Sequence, residues 1–257
     1  MAGYADRFWE IDCLRGFAVI LMLIYHFLYD LDFFGLIEIQ LGSGLFLFIG
    51  RGAASLFILV SGVALSISHS RGLIQDSKHN SKYKKESFSK YLKRGYKLFL
   101  MGFLLTIITW FFFPEQYIVF GILHFFGVAA VLVYPFLNYR KENLIFGLLF
   151  GLVGLYLKQK TFGFSSLLWL GFIPENFRTL DYFPIFPWFG VLLIGVFLGN
   201  TIYEGGKRQF RIPYTGQNPF FKVLSWTGKY SLPIYFIHQP IFLSLLFLAG
   251  LIDPNIL

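Results

Sequence analysis

The chain has 257 residues, of which 56% are hydrophobic, 21% aromatic and only 14% charged. Soluble domains carry about 25% charged residues, so this composition excludes a water-soluble globular protein and indicates a membrane protein. The formal net charge of +8 would suit a nucleic-acid-binding protein, but no folded module surrounds the basic residues, and nucleic acid is therefore excluded as a partner.

Seven apolar stretches reach or approach the length of about 20 residues that a membrane-spanning helix needs. In chain order they are Leu14–Leu31, Leu47–Ser68, Gly95–Phe113, Val119–Leu137, Leu144–Leu157, Pro184–Tyr203 and Ser231–Leu251. Two shorter apolar pieces, Phe33–Leu41 and Ser165–Ile173, are predicted to be re-entrant or interfacial helices. The predicted fold is thus an all-α polytopic membrane protein in which residues 1–257 form a single transmembrane domain.

The basic residues are distributed unevenly between the two ends of these spans. If each span crosses once, the side that holds the N-terminus carries 18 of the 22 Lys and Arg residues, and the other side carries three. The remaining one, Arg51, lies inside the second span. Because Lys and Arg concentrate in cytoplasmic loops, we expect a multi-pass cell-membrane protein with a cytoplasmic N-terminus and an external C-terminus.

The loop over residues 71–97 is the most basic part of the chain, with nine Lys or Arg residues. One interpretation is a solvated loop that sets the topology and contacts anionic lipid headgroups. Another is that Lys93, Arg94 and Lys97, where the third span begins, bind an anionic cytosolic ligand. The sequence leaves both interpretations open.

Charged or titratable side chains inside a span are costly, so each one is a candidate for function. Six occur here: Arg15, His26, Asp30, Arg51, His124 and His238. With a helical rise of about 1.5 Å per residue, His26 lies about 16 Å deeper than Arg15, past the midplane of the membrane. The expected depths place most of the others in the same outer half, with His238 near the middle of the last span.

Each of these residues has a structural alternative. His238 can bond a neighbouring carbonyl, His124 can be a packing residue, and Arg51 and Arg15 can extend to the headgroups. His26 is harder to explain in that way, because Asp30 follows it at position i+4 on the same helical face. A carboxylate so placed can orient the imidazole and raise its basicity, which predicts a catalytic pair.

Several motifs resemble those of a known family. They are Ile11–Met22 with Tyr25–Phe27, Ala53–Gly62, Phe120–Gly127, Phe183–Gly190 and Trp226–Pro240. In this order they resemble the catalytic-domain family of heparan-α-glucosaminide N-acetyltransferase, in particular its prokaryotic YeiB-like branch. More loosely, they are similar to the wider acyltransferase family three of membrane sugar O-acyltransferases.

The resemblance implies transfer of an acyl group, usually acetyl, from cytosolic acyl-CoA to a sugar-like or glycan acceptor reached from the far side. His26 matches the catalytic His of the acyltransferase family and Arg15 its nearby Arg. The animal lysosomal members differ, because they have Asn in place of His26, and Ile37 stands about where their active His lies. Acetyl-CoA or another acyl-CoA is therefore the expected co-substrate, and no metal is expected.

On this interpretation His26 is a general base or an acyl carrier, oriented by Asp30. Arg51, His124 and His238 are candidates for the oxyanion or acceptor site. The residues expected near the CoA phosphates are Arg15, Lys93, Arg94, Lys97 and Lys229. The main alternative is a proton-coupled transporter that uses the same intramembrane residues. The sequence leaves open the acceptor, the acyl chain length and whether the protein, besides contacting lipid, forms a homo-oligomer.

Overall fold

The computed structural model describes residues 7–39, 43–78, 88–213 and 218–252. Over these residues the chain is helical, and its only β-type pairs are two isolated bridges. The helices are α1 (Trp9–Phe33), α2 (Gly44–Lys78), α3 (Phe88–Phe112), α4 (Ile122–Leu132), α5 (Lys141–Leu157), α6 (Ile185–Ile202), α7 (Pro219–Lys229) and α8 (Ser231–Leu248). The all-α prediction is confirmed.

Five of these helices are long and apolar enough to cross a membrane: α1, α2 over Gly44–Ile74, α3, α6 and α8. Large apolar side chains on them are exposed, and Phe111 on α3, for example, is 77% exposed. In water this surface would be strongly unfavourable, whereas lipid solvates it. The structure therefore supports a membrane-spanning protein. The number of seven spans stays a prediction, because α4 and α5 are shorter.

The fourth predicted span differs most from the structure. The apolar run Val119–Leu137 predicts a helix of 19 residues, but α4 has 11. It begins only after Gly121, because Phe120 forms a bridge with Tyr182. It ends before Pro135, which has no N–H to donate to the helix and lies in a 3-10 turn, Tyr134–Phe136. At about 1.5 Å per residue, α4 is roughly half the thickness of the hydrocarbon core.

Other helices are longer than their apolar runs. Helix α1 begins at Trp9, α2 continues to Lys78 and α3 begins at Phe88. Apolar composition identifies only the part of a helix that lies in lipid, and polar turns continue beyond it. Of the two short pieces, Ser165–Ile173 contains one 3-10 turn, Leu168–Leu170. The other, Phe33–Leu41, is turn and coil after Phe33, and residues 40 and 41 lie outside the described residues.

The chain separates into two compact units, and the boundary falls within α2. The first unit comprises Met1–Val60 and Arg211–Leu257, and the second comprises Ser61–Phe210. The expectation of a single domain over residues 1–257 stays a prediction.

In the first unit, α1 packs against α7 and α8. The α1–α7 contact depends on two glycines, because a Cβ on Gly16 would overlap the Leu224 carbonyl and one on Gly228 would overlap the Asp12 carbonyl. Helix α7 was not predicted from the sequence, because it is short and amphipathic. Its N-terminus is capped by the Asn218 side chain, which accepts from the Phe220 N–H at 2.9 Å.

In the second unit the principal helix pairs are α5 with α6 and α3 with α4. Small residues again allow the backbones to approach. A Cβ on Gly190 would meet the Gly147 carbonyl at 2.5 Å, and one on Gly95 would meet the Gly127 carbonyl at 2.6 Å. Close contacts through small residues are typical of helix packing in membranes, where exclusion of water contributes little.

Candidate active site

Two histidines of the first unit meet between α1 and α8. The rings of His26 and His238 are in T-shaped contact, with centroids 4.8 Å apart and an interplanar angle of 83°. This contact places the two histidines at the same height along α1 and α8, although most of the chain separates them in sequence. Tyr235, one turn before His238, has its ring centroid 5.7 Å from that of His238.

The hydrogen bonds of the two rings indicate their tautomers. Nδ1 of His26 lies 2.9 Å from the Met22 carbonyl oxygen, and Nδ1 of His238 lies 2.7 Å from that of Tyr235. A carbonyl oxygen can only accept, so Nδ1 carries the proton in both rings. In the neutral form, Nε2 of each imidazole is then an acceptor, which is the state a general base requires.

Asp30 is bound from α8. Its Oδ1 accepts a hydrogen bond from Nε2 of Gln239 at 3.0 Å, and the residue is 3% exposed, so solvent does not solvate the carboxylate. Three buried atoms nearby have no hydrogen-bond partner among the described residues: Oδ2 of Asp30, Oε1 of Gln239 and Nε2 of His238. The cluster formed by His26, Asp30, His238 and Gln239 is called the α1–α8 cluster below.

The direct bond between His26 and Asp30, expected from their i, i+4 spacing, is not formed. The imidazole instead donates to the carbonyl four residues earlier, and the carboxylate accepts from Gln239. Both alternatives are geometrically easy, since the first is local to the helix and the second uses a side chain on a packed neighbour. The role of Asp30 as the orienting partner of His26 stays a prediction without this support.

Arg51 lies on α2 in the first unit and is exposed. The Tyr25 ring packs on the backbone at Gly50, where a Cβ would come within 2.7 Å of it. Tyr25 directly precedes His26 and Gly50 directly precedes Arg51, so this contact brings the two segments together. The role of Arg51 at an oxyanion stays a prediction.

Arg15 is bound near the beginning of α1. Its Nη1 donates to Oδ1 of Asp12 at 3.2 Å, and Arg7 pairs with the same carboxylate through Nη2 at 2.7 Å. The Arg15 side chain is only 16% exposed, whereas that of Arg7 is 51% exposed. Lys229, at the end of α7, places its ammonium group 5.4 Å from the centre of the Tyr230 ring. Both cations belong to the first unit.

The other three cations expected to bind CoA belong to the second unit. Lys93, Arg94 and Lys97 lie within the first three turns of α3, and all three are exposed. The adjacent residues Tyr91 and Gly95 are buried and pack the helix. The structure thus divides the five cations between the two units, and their common role at a CoA site stays a prediction.

His124 lies in the second unit, where it contacts the beginning of α4 and a neighbouring aromatic ring. Its Nδ1 accepts from the Gly121 N–H at 3.3 Å, which caps the N-terminus of α4, and its ring is stacked on Phe120. Asp181 also binds this terminus, because its Oδ2 accepts from the Ile122 N–H at 2.8 Å. These contacts correspond to the packing alternative for His124, and a role for it at an oxyanion stays a prediction.

The connection between α5 and α6 supplies a further polar contact. The Tyr182 hydroxyl group donates to the Leu168 carbonyl at 2.7 Å, and burial raises the pKa of this hydroxyl above its ordinary value. This hydrogen bond holds the 3-10 turn Leu168–Leu170 against the chain that leads into α6.

A second polar cluster in the second unit was not predicted. His69 is buried, with Nδ1 3.1 Å from the Tyr91 hydroxyl and Nε2 3.0 Å from Oδ1 of Asn138. Asn200 donates to the Leu137 carbonyl at 3.0 Å and accepts from Ser66. A cavity of about 210 Å³ lies beside these residues. Both nitrogens of His69 are occupied, which indicates that this histidine connects elements of the second unit.

Gln239 and the asparagines were missed for a common reason. Only titratable groups inside spans were considered, whereas an uncharged amide in lipid also requires a partner. Polar side chains in apolar runs are therefore the signal that indicates Gln239 beside His238 and Asn200 at the end of α6.

The described residues include no group of three or more metal-ligating side chains. The expectation of a metal-free reaction stays a prediction.

The fold and the α1–α8 cluster define a helical membrane protein with basic and hydrogen-bonding groups buried inside its spans. The chain belongs to the family of heparan-alpha-glucosaminide N-acetyltransferase catalytic domains, whose sequence profile matches residues 7–240. Membership implies acetyltransferase activity, and the branch of the family stays a prediction. No curated protein and no solved structure matches the chain.

Proposed function

We propose that the protein transfers an acetyl group from acetyl-CoA to an amino or hydroxyl group of a sugar-like acceptor, with His26 as the general base. The observation that carries the proposal of acetyl transfer is the family match over residues 7–240, and His26 is chosen as the base because its ring lies in α1 in contact with a second histidine, His238. Nδ1 of His26 is engaged by the Met22 carbonyl, so Nε2 is the basic nitrogen. The name of the family supplies the class of acceptor, an α-glucosaminide, as the first one to test.

The reaction is a substitution at the thioester carbon. The nucleophilic N or O of the acceptor attacks this carbon while Nε2 of His26 takes the proton of the nucleophile. The bond between carbon and sulfur then breaks, and the CoA thiolate takes that proton from the imidazolium, which yields CoA and the acetylated acceptor. General-base catalysis of this kind contributes about 10²–10⁴-fold to the rate.

The same residues also permit a two-step route in which Nε2 of His26 itself attacks the thioester. The bond between carbon and sulfur breaks, and the CoA thiolate takes the Nδ1 proton of the acetyl-imidazolium, which leaves a neutral acetyl-histidine. In the second step the acceptor attacks the acetyl carbon, the bond between carbon and Nε2 breaks, and the proton of the acceptor returns to the imidazole. Rapid acid quench with radiolabelled acetyl-CoA distinguishes the two routes, because only the second leaves label on the protein in the absence of acceptor.

Acetyl-CoA is proposed to bind from the cytoplasmic side with its phosphates near Arg15. Helix α1 is continuous from Trp9 to Phe33, so the distance of about 16 Å between the levels of Arg15 and His26 follows from the helical rise. An extended pantetheine arm has a comparable length, so the thioester reaches His26 while the nucleotide stays outside lipid. Lys229, in the first unit, is proposed to bind the CoA phosphates as well. The same role is proposed independently for the three cations of α3, which belong to the second unit.

Proton-coupled transport is the alternative function, and the contact between two intramembrane histidines is the observation that favours it. A chain of His and carboxylate groups can relay protons through a membrane. Family membership favours the transferase.

The test uses the purified full-length protein in detergent and in sealed vesicles. With radiolabelled acetyl-CoA and methyl α-glucosaminide, we expect acceptor-dependent release of CoA thiol and label on the sugar in equal amounts. The vesicles are assayed in parallel for proton flux without acetyl-CoA. Proton flux with neither thiol release nor sugar labelling would instead establish the transporter.

A further inference from the structure

The hydrogen-bonding capacity of the α1–α8 cluster is only partly used within the protein. Oδ1 of Asp30 is satisfied by Gln239, whereas Oδ2 of Asp30, Oε1 of Gln239 and Nε2 of His238 have no partner in the described part of the chain. Asp30 and His238 are only 3% and 5% exposed. A buried polar atom without a partner costs about 1–3 kcal/mol, so three such atoms on the side chains that join α1 to α8 indicate a bound ligand.

All three atoms are hydrogen-bond acceptors. The proton of His238 is on Nδ1, which contacts the Tyr235 carbonyl, and Nε2 is therefore an acceptor. The amide nitrogen of Gln239 is committed to Asp30, so its free group is the carbonyl oxygen. A carboxylate oxygen also accepts. A ligand that satisfies these atoms must therefore present several O–H or N–H donors.

We propose that Asp30, Gln239 and His238 form a recognition subsite for the hydroxyl groups that flank the acetylated position of a polyhydroxylated acceptor. Gln239 is then a specificity-determining residue that positions the Asp30 carboxylate and binds the acceptor through Oε1. Asp30 acts on the acceptor and not on His26. The inference rests on the proposed function, because the subsite adjoins His26 through the ring contact of 4.8 Å with His238.

The arrangement predicts selectivity against simple nucleophiles. A monohydric alcohol or a primary alkylamine supplies one donor group to be acetylated and leaves the three acceptors of the subsite unpaired. A site built to bind hydroxyl groups rejects an analogue that lacks them, because its own buried polar atoms then have no partner. We therefore expect the subsite, and not His26, to select polyol acceptors over simple alcohols and amines.

The experiment combines an acceptor series with one variant. The probes are methyl α-glucosaminide and its 3-deoxy and 4-deoxy analogues, measured by calorimetry for binding and by thiol release for turnover. In the parent protein we expect removal of at least one hydroxyl to weaken binding about tenfold or more, with KM raised and kcat little changed. In Gln239→Met, which keeps the side-chain length, we expect that penalty to fall to about twofold or less.

The matched control is Ser244→Ala, an exposed position on the same helix, which should keep the penalty of the parent. Acetyl-CoA binding in Gln239→Met should remain within about twofold of the parent, because the subsite contacts only the acceptor. Equal binding of all three probes by the parent, or a penalty that is unchanged in Gln239→Met, overturns the inference.

The two proposals fail separately. Discrimination among the probes in binding, without transfer of acetyl to any of them, would remove the proposed function and retain the subsite. Transfer to all three probes with equal KM would retain the proposed function and overturn the subsite. Because the deoxygenation series is measured on the parent protein, misfolding of the variant does not decide the outcome.

Discussion

At the scale of single residues, substitutions of His26 and of Asp30 are expected to have different effects on the kinetics. His26→Ala removes the base, so turnover should fall by about 10²–10⁴-fold while acetyl-CoA binding stays within about threefold. Asp30→Asn keeps the shape of the side chain and should mainly raise the acceptor KM. Thiol-release kinetics with varied acceptor measure both effects, and Ile24→Ala, an exposed position on α1, is the matched control.

The two outcomes for Asp30 separate its possible roles. A shifted pH–rate profile with an unchanged acceptor KM would mean that Asp30 acts through the imidazole, as its spacing from His26 first suggested. Full turnover in His26→Ala would reject His26 as the base and move attention to His238.

The carboxylate of Asp12 gives a matched pair of arginine variants. Arg7 and Arg15 both bind it, so replacing either one removes one ion pair with Asp12. Arg15→Ala is expected to weaken acetyl-CoA binding about tenfold, because it also removes a charge-assisted contact to phosphate. Arg7→Ala should leave the affinity nearly unchanged. Calorimetry with acetyl-CoA is the measurement, and equal losses in both variants would show that only the integrity of the Asp12 ion pairs matters.

At the scale of helices, the contact between α1 and α7 depends on backbone proximity. Gly16→Ala places a Cβ in the Leu224 carbonyl, which only a shift of one helix can relieve, so we expect a loss of stability of about 1–3 kcal/mol. Gly52→Ala on α2 is the control, since a Cβ there meets nothing within 4 Å. Thermal unfolding in detergent compares the two, and a similar melting temperature for both would mean that α7 is not held by this contact.

At the scale of the whole molecule, the short helix α4 decides the number of crossings. With seven spans, a reporter after Lys160 is external and one after Tyr139 is cytoplasmic, because α4 and α5 each cross once. If only the five long helices cross, Tyr139 is external as well. The uneven distribution of Lys and Arg predicts the first result. Fusions after Lys82, Tyr139 and Lys160 measure it, and a cytoplasmic Lys160 would reject both arrangements.

The sequence by itself determined the class of protein and the location of its principal helices. In lipid every backbone N–H and C=O must be paired within the segment, so a long apolar run has to be helical. For this reason the runs beginning near Leu14, Leu47 and Pro184 correspond to α1, α2 and α6. Helix α7 was not found because its amphipathic pattern is held by tertiary contacts with α1 and not by lipid.

Only the tertiary structure decided the partners of the buried polar groups. Helical spacing brings His26 and Asp30 to one face of α1. It does not specify that the Asp30 carboxylate binds Gln239, which lies 209 positions after Asp30 in the chain. Nor does it specify that His26 contacts His238, while His124 caps α4 in the other unit. A hydrogen bond in lipid forms with whichever donor the packing of helices brings within reach, and that packing depends on small residues such as Gly16, whose partners lie far away in the chain.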